Sequence, residues 1–365
     1  MADPVPRDPK PSGADATLAR VLQALTDAGA DEEVLSAAAA EGQEALSRLV
    51  ARYLTFPGAR KYTMAEGIAK AGVDEGRARA LWRAMGFPEP PEGEKAFTDA
   101  DVEALQVATG LFQRTGLDQA VSLQQARTMS QSAARVAFSN QDVIANFTNE
   151  ADLVKRAEQS IKLANDTLPA LDQLLVYMYR RHLAAATEQQ LLILDAEEGT
   201  AKLSVGFADL SRYTSVSREL DPQELAQLID GFTAGAADAI VDGGGRLVKT
   251  IGDEVMFSAL DAGTAAEIAL KLVDAISPER GYPPLRVGLA TGGVVPREGD
   301  LFGRTVNLAN RLVVVARPAS ILIDGETHQE LKDDSRFEIT PVPPQHLKGL
   351  GRVRPHRLRA AAPRA

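Results

Sequence analysis

Residues 246–257 read RLVKTIGDEVMF, and the fold follows from how this stretch is taken. Leu247 and Val248 precede the tetrapeptide Ile251-Gly252-Asp253-Glu254, and Val255, Met256 and Phe257 follow it. Two short apolar runs separated by such a turn form a half-buried β-hairpin. Gly252 supplies the backbone angles that a tight turn demands and a Cβ disfavours. Asp253 then sits at the tip, where paired strands hold a carboxylate still enough to ligate a metal. Taken alone, the same residues equally describe an ordinary turn with a solvated acidic pair.

A second carboxylate upstream shifts that balance. Residues 202–214 read KLSVGFADLSRYT, with Leu203, Val205 and Phe207 alternating as in a strand and Asp209 at its end. Two neighbouring strand-end carboxylates hold divalent cations through hard oxygen ligands. Ser211, Tyr213 and Thr214 continue into a loop whose backbone amides suit phosphate.

The segments FADLSRYT, KTIGDEVMF and DLFGRTVNLANR occur in this order at residues 207–214, 249–257 and 300–311. Together they resemble the class III nucleotidyl cyclases, the adenylyl and guanylyl cyclases, over roughly residues 201–360. The resemblance implies in-line attack of the ribose 3′-hydroxyl of ATP on the α-phosphorus, giving cyclic AMP and pyrophosphate. It implies two divalent cations, Mg2+ or Mn2+, one activating the hydroxyl and the other neutralising the triphosphate. By the same resemblance Asp209 and Asp253 are metal ligands, with the backbone carbonyl of Leu210 beside them. Lys249 and Asp300 match the adenine-reading pair: Lys donates to ring N1 and Asp accepts from the 6-amino group. Asn307 and Arg311 lie four apart on a predicted helix and so share a face. The family's pattern gives them the ribose and the developing charge on phosphate. Lys348, in HLKGLG, matches a triphosphate-binding lysine. Arg212 departs from the family, which usually has Gly there. Family members draw metal ligands from one subunit and the remaining site residues from the other. This chain carries both sets, which implies a homodimer with two equivalent sites. A catalytically silent, nucleotide-sensing cyclase-like domain is the alternative, and Arg212 is the feature that favours it.

The element order predicts an α+β chain, with an N-terminal all-α domain followed by a ferredoxin-like βαββαβ cyclase domain. The expected divisions are a disordered tail over 1–13, a helical regulatory domain over 14–186, a linker over 187–200 and a catalytic domain over 201–365. Asp221-Pro222-Gln223-Glu224 is a helix start with a capping residue, a first-turn proline and a glutamate at the third position. Gly243-Gly244-Gly245 ends that helix. Residues 264–276 and 306–315 form further helices, and 285–290 and 320–323 further strands, and the βαββαβ order suggests a ferredoxin-like sheet with that unit's helices on one face.

Composition narrows the remaining classes. With 40 basic and 50 acidic side chains among 365 residues, the net charge of -10 argues against a nucleic-acid binder as a whole. There is no cysteine, so disulfides, zinc–thiolate sites and thiol nucleophiles are excluded. No apolar run spans a bilayer, and the start MADPVPRDPKPSGAD lacks a signal-peptide core. A cytoplasmic enzyme is expected.

Residues 14–190 are rich in Ala, Leu, Glu, Gln and Arg and read as helices. Thr98 is a predicted N-cap and Gly116 a helix junction. Residues 61–105 are similar to the winged-helix start of MerR-type regulators. Six acidic residues cancel six basic ones over 61–95, which leaves no net basic face for phosphates. Leu171, Leu174, Leu175 and Met178 fall on one face of a helix interrupted near Pro169. Such a stripe is core or dimer seam, with an apolar effector as the other reading. This half also resembles the regulatory domains of actinobacterial cyclases, including pH-responsive ones. His182 is the histidine nearest the connection, where an exposed bystander is the ordinary role.

Overall fold

The computed structural model describes residues 13–147, 153–193, 201–211 and 213–362. The expected tail, apart from Gly13, therefore lies outside the described residues, as do residues 194–200 of the expected linker and Arg212. The chain divides into two compact units, Met1–Leu183 and Ala184–Ala365.

The first unit is helical. Helices α1 (Gly13–Asp27), α2 (Glu32–Glu41) and α3 (Gln43–Thr55) close over Val21, Leu25, Ala30, Val50 and Tyr53. Helices α4 (Met64–Ala71), α5 (Glu75–Ala84) and α6 (Asp99–Thr115) form a second cluster around Ile68, Leu81, Phe97 and Leu105. Thr98 caps α6 in a reciprocal capping box with Asp101, and Gly116 ends that helix in the left-handed conformation. In the segment resembling winged-helix regulators, Arg79 and Arg83 both pair with Glu89, and Lys61 pairs with Asp99. Three of its six basic groups are thus engaged locally.

Helix α7 (Gln119–Phe147) precedes α8 (Leu153–Lys162), which runs through a π-helical turn at Leu163–Thr167 into α9 (Leu168–Ile193). Pro169 does not break this helix. It has no N–H for the carbonyl four residues earlier, and the widened turn just before it absorbs the lost bond. Helix α9 then continues to Ile193, through the first part of the expected linker. Leu174 is 50% exposed and Met178 38%, so the stripe on α9 is not core within a single chain. His182 on the same helix is exposed. Among the described residues no helix is long and apolar enough to cross a membrane.

The second unit is built on a sheet. Strand β1 (Ala201–Leu210) is followed by short α10 (Tyr213–Val216) and α11 (Pro222–Asp242). The hairpin is β2 (Arg246–Ile251) and β3 (Glu254–Ala259); α12 (Ala262–Ala275) leads to β4 (Leu285–Arg297) and β5 (Asp300–Phe302). Then come α13 (Arg304–Val315), β6 (Ser320–Ile323), α14 (Gly325–Leu331), β7 (Phe337–Pro341), β8 (Gln345–Leu347), β9 (Gly351–Val353) and β10 (His356–Ala360). The main sheet runs β2-β3-β1-β4-β6-β10-β7. Its first four strands are antiparallel in the ferredoxin-like order, and β6 adds parallel to β4. Asp221 and Glu224 form a full capping box at α11, with Pro222 in the first turn.

The two helices of the βαββαβ unit, α11 and α12, share one face as expected, and α13, which follows that unit, covers the other. Ala208, Leu210, Val255, Phe257, Val287 and Leu289 pack against α11 and α12. Leu203, Val205, Phe207 and Met256 point to the other side, where α13 covers them with Ala309 and Val313. Side chains alternate across a strand, so each strand feeds both clusters. Helix α13 approaches β4 very closely at Gly288, where an added Cβ would lie 2.4 Å from the Ala309 oxygen and from the Val313 nitrogen.

Candidate active site

Asp209 ends β1, opposite Glu254 of β3 on one side and Arg286 of β4 on the other. Residues opposite each other in a ladder project from the same face. All three therefore lie on the α13 side. The side chain of Asp209 is 16% exposed and accepts a hydrogen bond from the Arg286 guanidinium. The hairpin turn brings in Asp253: the Leu210 amide donates to the Asp253 carbonyl at 3.1 Å, tying the two strand ends together.

This crowding shows in the acidities. Burial first, and then the charge of Asp209, push the Asp253 carboxyl above the usual carboxylate range. Glu254 is pushed up to about 7 by burial, with Asp209 and Asp253 adding to it. Asn310 of α13 donates to Glu254 Oε1 at 3.2 Å and opposes part of that rise.

Among the described residues no group of three His, Cys, Asp or Glu side chains has the arrangement of a metal centre. A magnesium-type site does not require one. Such ions are held by one or two carboxylates, with phosphates and water completing the shell. Two converging carboxylates that repel each other when both are charged are a donor set suited to a divalent cation.

The base-reading candidates also meet. Lys249 Nζ lies 2.5 Å from Asp300 Oδ2, and Asp300 Oδ1 accepts from the Leu301 amide at 2.8 Å. A bulge between Leu247 and Lys249 shifts the β2–β3 register, so that Lys249 falls opposite Met256. Lys249 thereby shares the α13 side with Asp209. Arg246 lies within the field of Asp300, and burial lowers its pKa.

Asn307 and Arg311 are exposed on α13, while Leu312 is fully buried beneath them. Among the described residues neither bonds to Asp209 or Asp253. Lys348 is exposed in the turn between β8 and β9, and Leu347 anchors that hairpin against Leu312 and Ala316. The predicted phosphate loop differs in one respect. The Ser211 amide is spent on the Pro284 carbonyl at 2.8 Å, so Ser211 offers no free N–H. Arg286 was missed by sequence reasoning. The available signal was a lone arginine inside the apolar strand LRVGLA, at a position that alternation turns toward Asp209. Its Nε is buried without a partner.

Residues 196–360 match the adenylate and guanylate cyclase catalytic domain. The chain is 40% identical over 275 residues to an adenylate cyclase of Streptomyces coelicolor, covering 74% of this chain and 72% of that one. It is 42% identical to an adenylate cyclase of Streptomyces griseus over 74% of this chain and 69% of the relative. A third adenylate cyclase, from Glutamicibacter nicotianae, is 35% identical over 83% of this chain and 80% of its own length. Sheet order, converging carboxylates and these relatives agree: the chain belongs to the class III nucleotidyl cyclases.

Proposed function

We propose that the protein is an adenylyl cyclase that converts ATP to 3′,5′-cyclic AMP and pyrophosphate at the interface of a homodimer. The choice of ATP over GTP rests on the Lys249–Asp300 pair. One donor and one acceptor, both largely buried, match the adenine edge, and guanine leaves them mispaired. The named relatives act in the same sense.

Asp209 and Asp253 would hold the divalent cations, Mg2+ or Mn2+, with the Leu210 carbonyl at their side. The cations supply Lewis-acid charge to the 3′-hydroxyl and the triphosphate. Arg286 keeps the carboxylates neutralised before substrate arrives. With cations on those carboxylates, the Arg286 guanidinium would be free to pair with phosphate oxygens instead. Asn307 orients the ribose, Arg311 meets charge building on the α-phosphoryl group, and Lys348 contacts the triphosphate. Asn307 and Arg311 are solvent-facing in the single chain, which fits service to a second copy's carboxylates. The residues before the catalytic domain act as a regulatory unit. The exposed Leu174 and Met178 on α9 fit a seam between two copies. A cytoplasmic location supplies the ATP.

The test is incubation of full-length protein with ATP or GTP, with Mn2+ or Mg2+, and quantification of both cyclic nucleotides. Cyclic AMP from ATP, well above cyclic GMP from GTP, is expected. No product with either metal refutes the assignment and favours a silent nucleotide sensor.

A further inference from the structure

Helix α13 carries a third polar residue between the two assigned to catalysis. Asn307 and Arg311 face solvent, but Asn310 turns inward, is half-buried and donates to Glu254. A polar bond at this depth is selective, because an alternative roll of the helix would leave both groups unpaired. Glu254 in turn is fixed twice over. It is the ladder partner of Asp209 and the chain neighbour of Asp253. Gly288 sets the height of α13 above the sheet by direct backbone approach. The Asn310–Glu254 bond sets its rotation relative to the carboxylates.

On the cyclase reading above, we infer that Glu254 and Asn310 are positioning residues for the reaction. Their hydrogen bond ties the hairpin that carries a chain's own metal carboxylates to the helix that presents Asn307 and Arg311 to its partner's. Neither residue need touch substrate. One chain contributes opposite halves to two sites, and this bond is a direct polar link between those halves. Disturbing one half through it should be felt in both.

The experiment uses full-length protein with Asn310→Ala, Glu254→Ala, the double variant, and Glu254→Gln. The glutamine variant keeps an acceptor for Asn310 and separates the bond from the charge. The readouts are kcat and KM for ATP, Mn2+ affinity measured from the paramagnetic signal of the free ion, and melting temperature. Asn310→Ala is expected to lower kcat about tenfold and weaken Mn2+ about threefold, with KM for ATP within about twofold. The double variant should be little worse than the worse single one, because both remove one bond. Glu254→Gln should keep more of kcat than Glu254→Ala. If Asn310→Ala leaves kcat and Mn2+ affinity within about twofold of wild type, or if the two alanine effects multiply fully, the link is refuted. A variant that melts much earlier is replaced by Asn310→Ser, to which the same criteria apply. Absence of cyclic AMP from the wild type would overturn the functional reading instead, while the Mn2+ measurement still decides the link.

Discussion

At the proposed cation site, Glu254 should make metal binding a proton-releasing event. Its pKa is raised to about 7 by burial and by two neighbouring carboxylates. A divalent cation seated on Asp209 and Asp253 reverses the local field and favours the charged form. At pH 7 Glu254 is about half protonated, at pH 6 about nine-tenths and at pH 8.5 about 3%, so cation binding displaces about 0.5, 0.9 and 0.03 protons respectively. Asp253, also raised, adds release of the same sign. By linkage the apparent Mn2+ affinity should rise about tenfold between pH 6 and pH 8.5 through Glu254 alone. Calorimetric titration of full-length protein with Mn2+ checks this, when run in pairs of buffers with different ionisation enthalpies. The buffer-dependent part of the heat counts the protons. Glu254→Gln should remove most of the release at pH 7 and flatten the affinity profile. Equal release at pH 7 and pH 8.5, or a release that survives the substitution, would mean that Glu254 does not sense the cation.

The same raised pKa acts on stability in the metal-free protein. Native Glu254 binds more protons than the unfolded chain between about pH 4.5 and 7, so stability present below that window is lost as pH rises through it. Partial exposure discounts the effect to about 1–2 kcal/mol, and melting curves of wild type and Glu254→Gln at pH 5 and pH 8 should differ by that much. His356 works in the opposite sense: burial first, then His328, lower its pKa, so its contribution is lost on acidification. Replacing His356 by Phe, which keeps the stack on His328, should raise the melting temperature more at pH 5.5 than at pH 8. Gly288→Ala forces a Cβ onto the backbone of α13 and should cost about 3 kcal/mol or more, with activity falling alongside the melting temperature. Asp300→Ala removes the acceptor facing Lys249 and should lower kcat/KM for ATP by about a hundredfold or more while changing GTP turnover far less.

The parts legible in the sequence are those fixed by local chemistry. The N-cap at Thr98 and the capping box at Asp221 formed as read, and the structure adds the reciprocal Asp101 contact at Thr98. The hairpin over 246–257 and the βαββαβ order likewise follow from alternation and turn residues. What escaped was set across the sheet. Helix α13 has one apolar stripe, but nothing in that stripe says which face of the sheet it covers. The close approach at Gly288 decides it, and the glycine alone does not announce its neighbour. Arg286 meets Asp209 only through the β1–β4 register, 77 residues apart in sequence. The bulge that re-aims Lys249 is a property of how β2 pairs with β3, not of β2. The strands after residue 336 are short and carry weak alternation, so β7 to β10 gave little to read.

An acidic chain that binds a polyanion must create its positive field locally. Here the sheet concentrates it. Arg286 comes from β4, and Arg246 and Lys249 come from β2; each lies close to a carboxylate of the site. In the metal-free state these pairs nearly cancel, which limits repulsion among Asp209, Asp253 and Glu254. If cations and triphosphate bind as proposed, both sides of the Arg286–Asp209 pair would change together: the carboxylates would gain metal and the guanidinium phosphate. Such an exchange trades one set of close opposite charges for another, so it avoids stranding a buried charge at any stage. Arg286→Ala would break this balance before substrate arrives. It should raise the pKa of Asp253 further, because Arg286 is a group that lowers it now, and should weaken nucleotide binding most at low pH. A variant whose ATP affinity stayed flat with pH would show that the arginine does not mediate between carboxylates and phosphate.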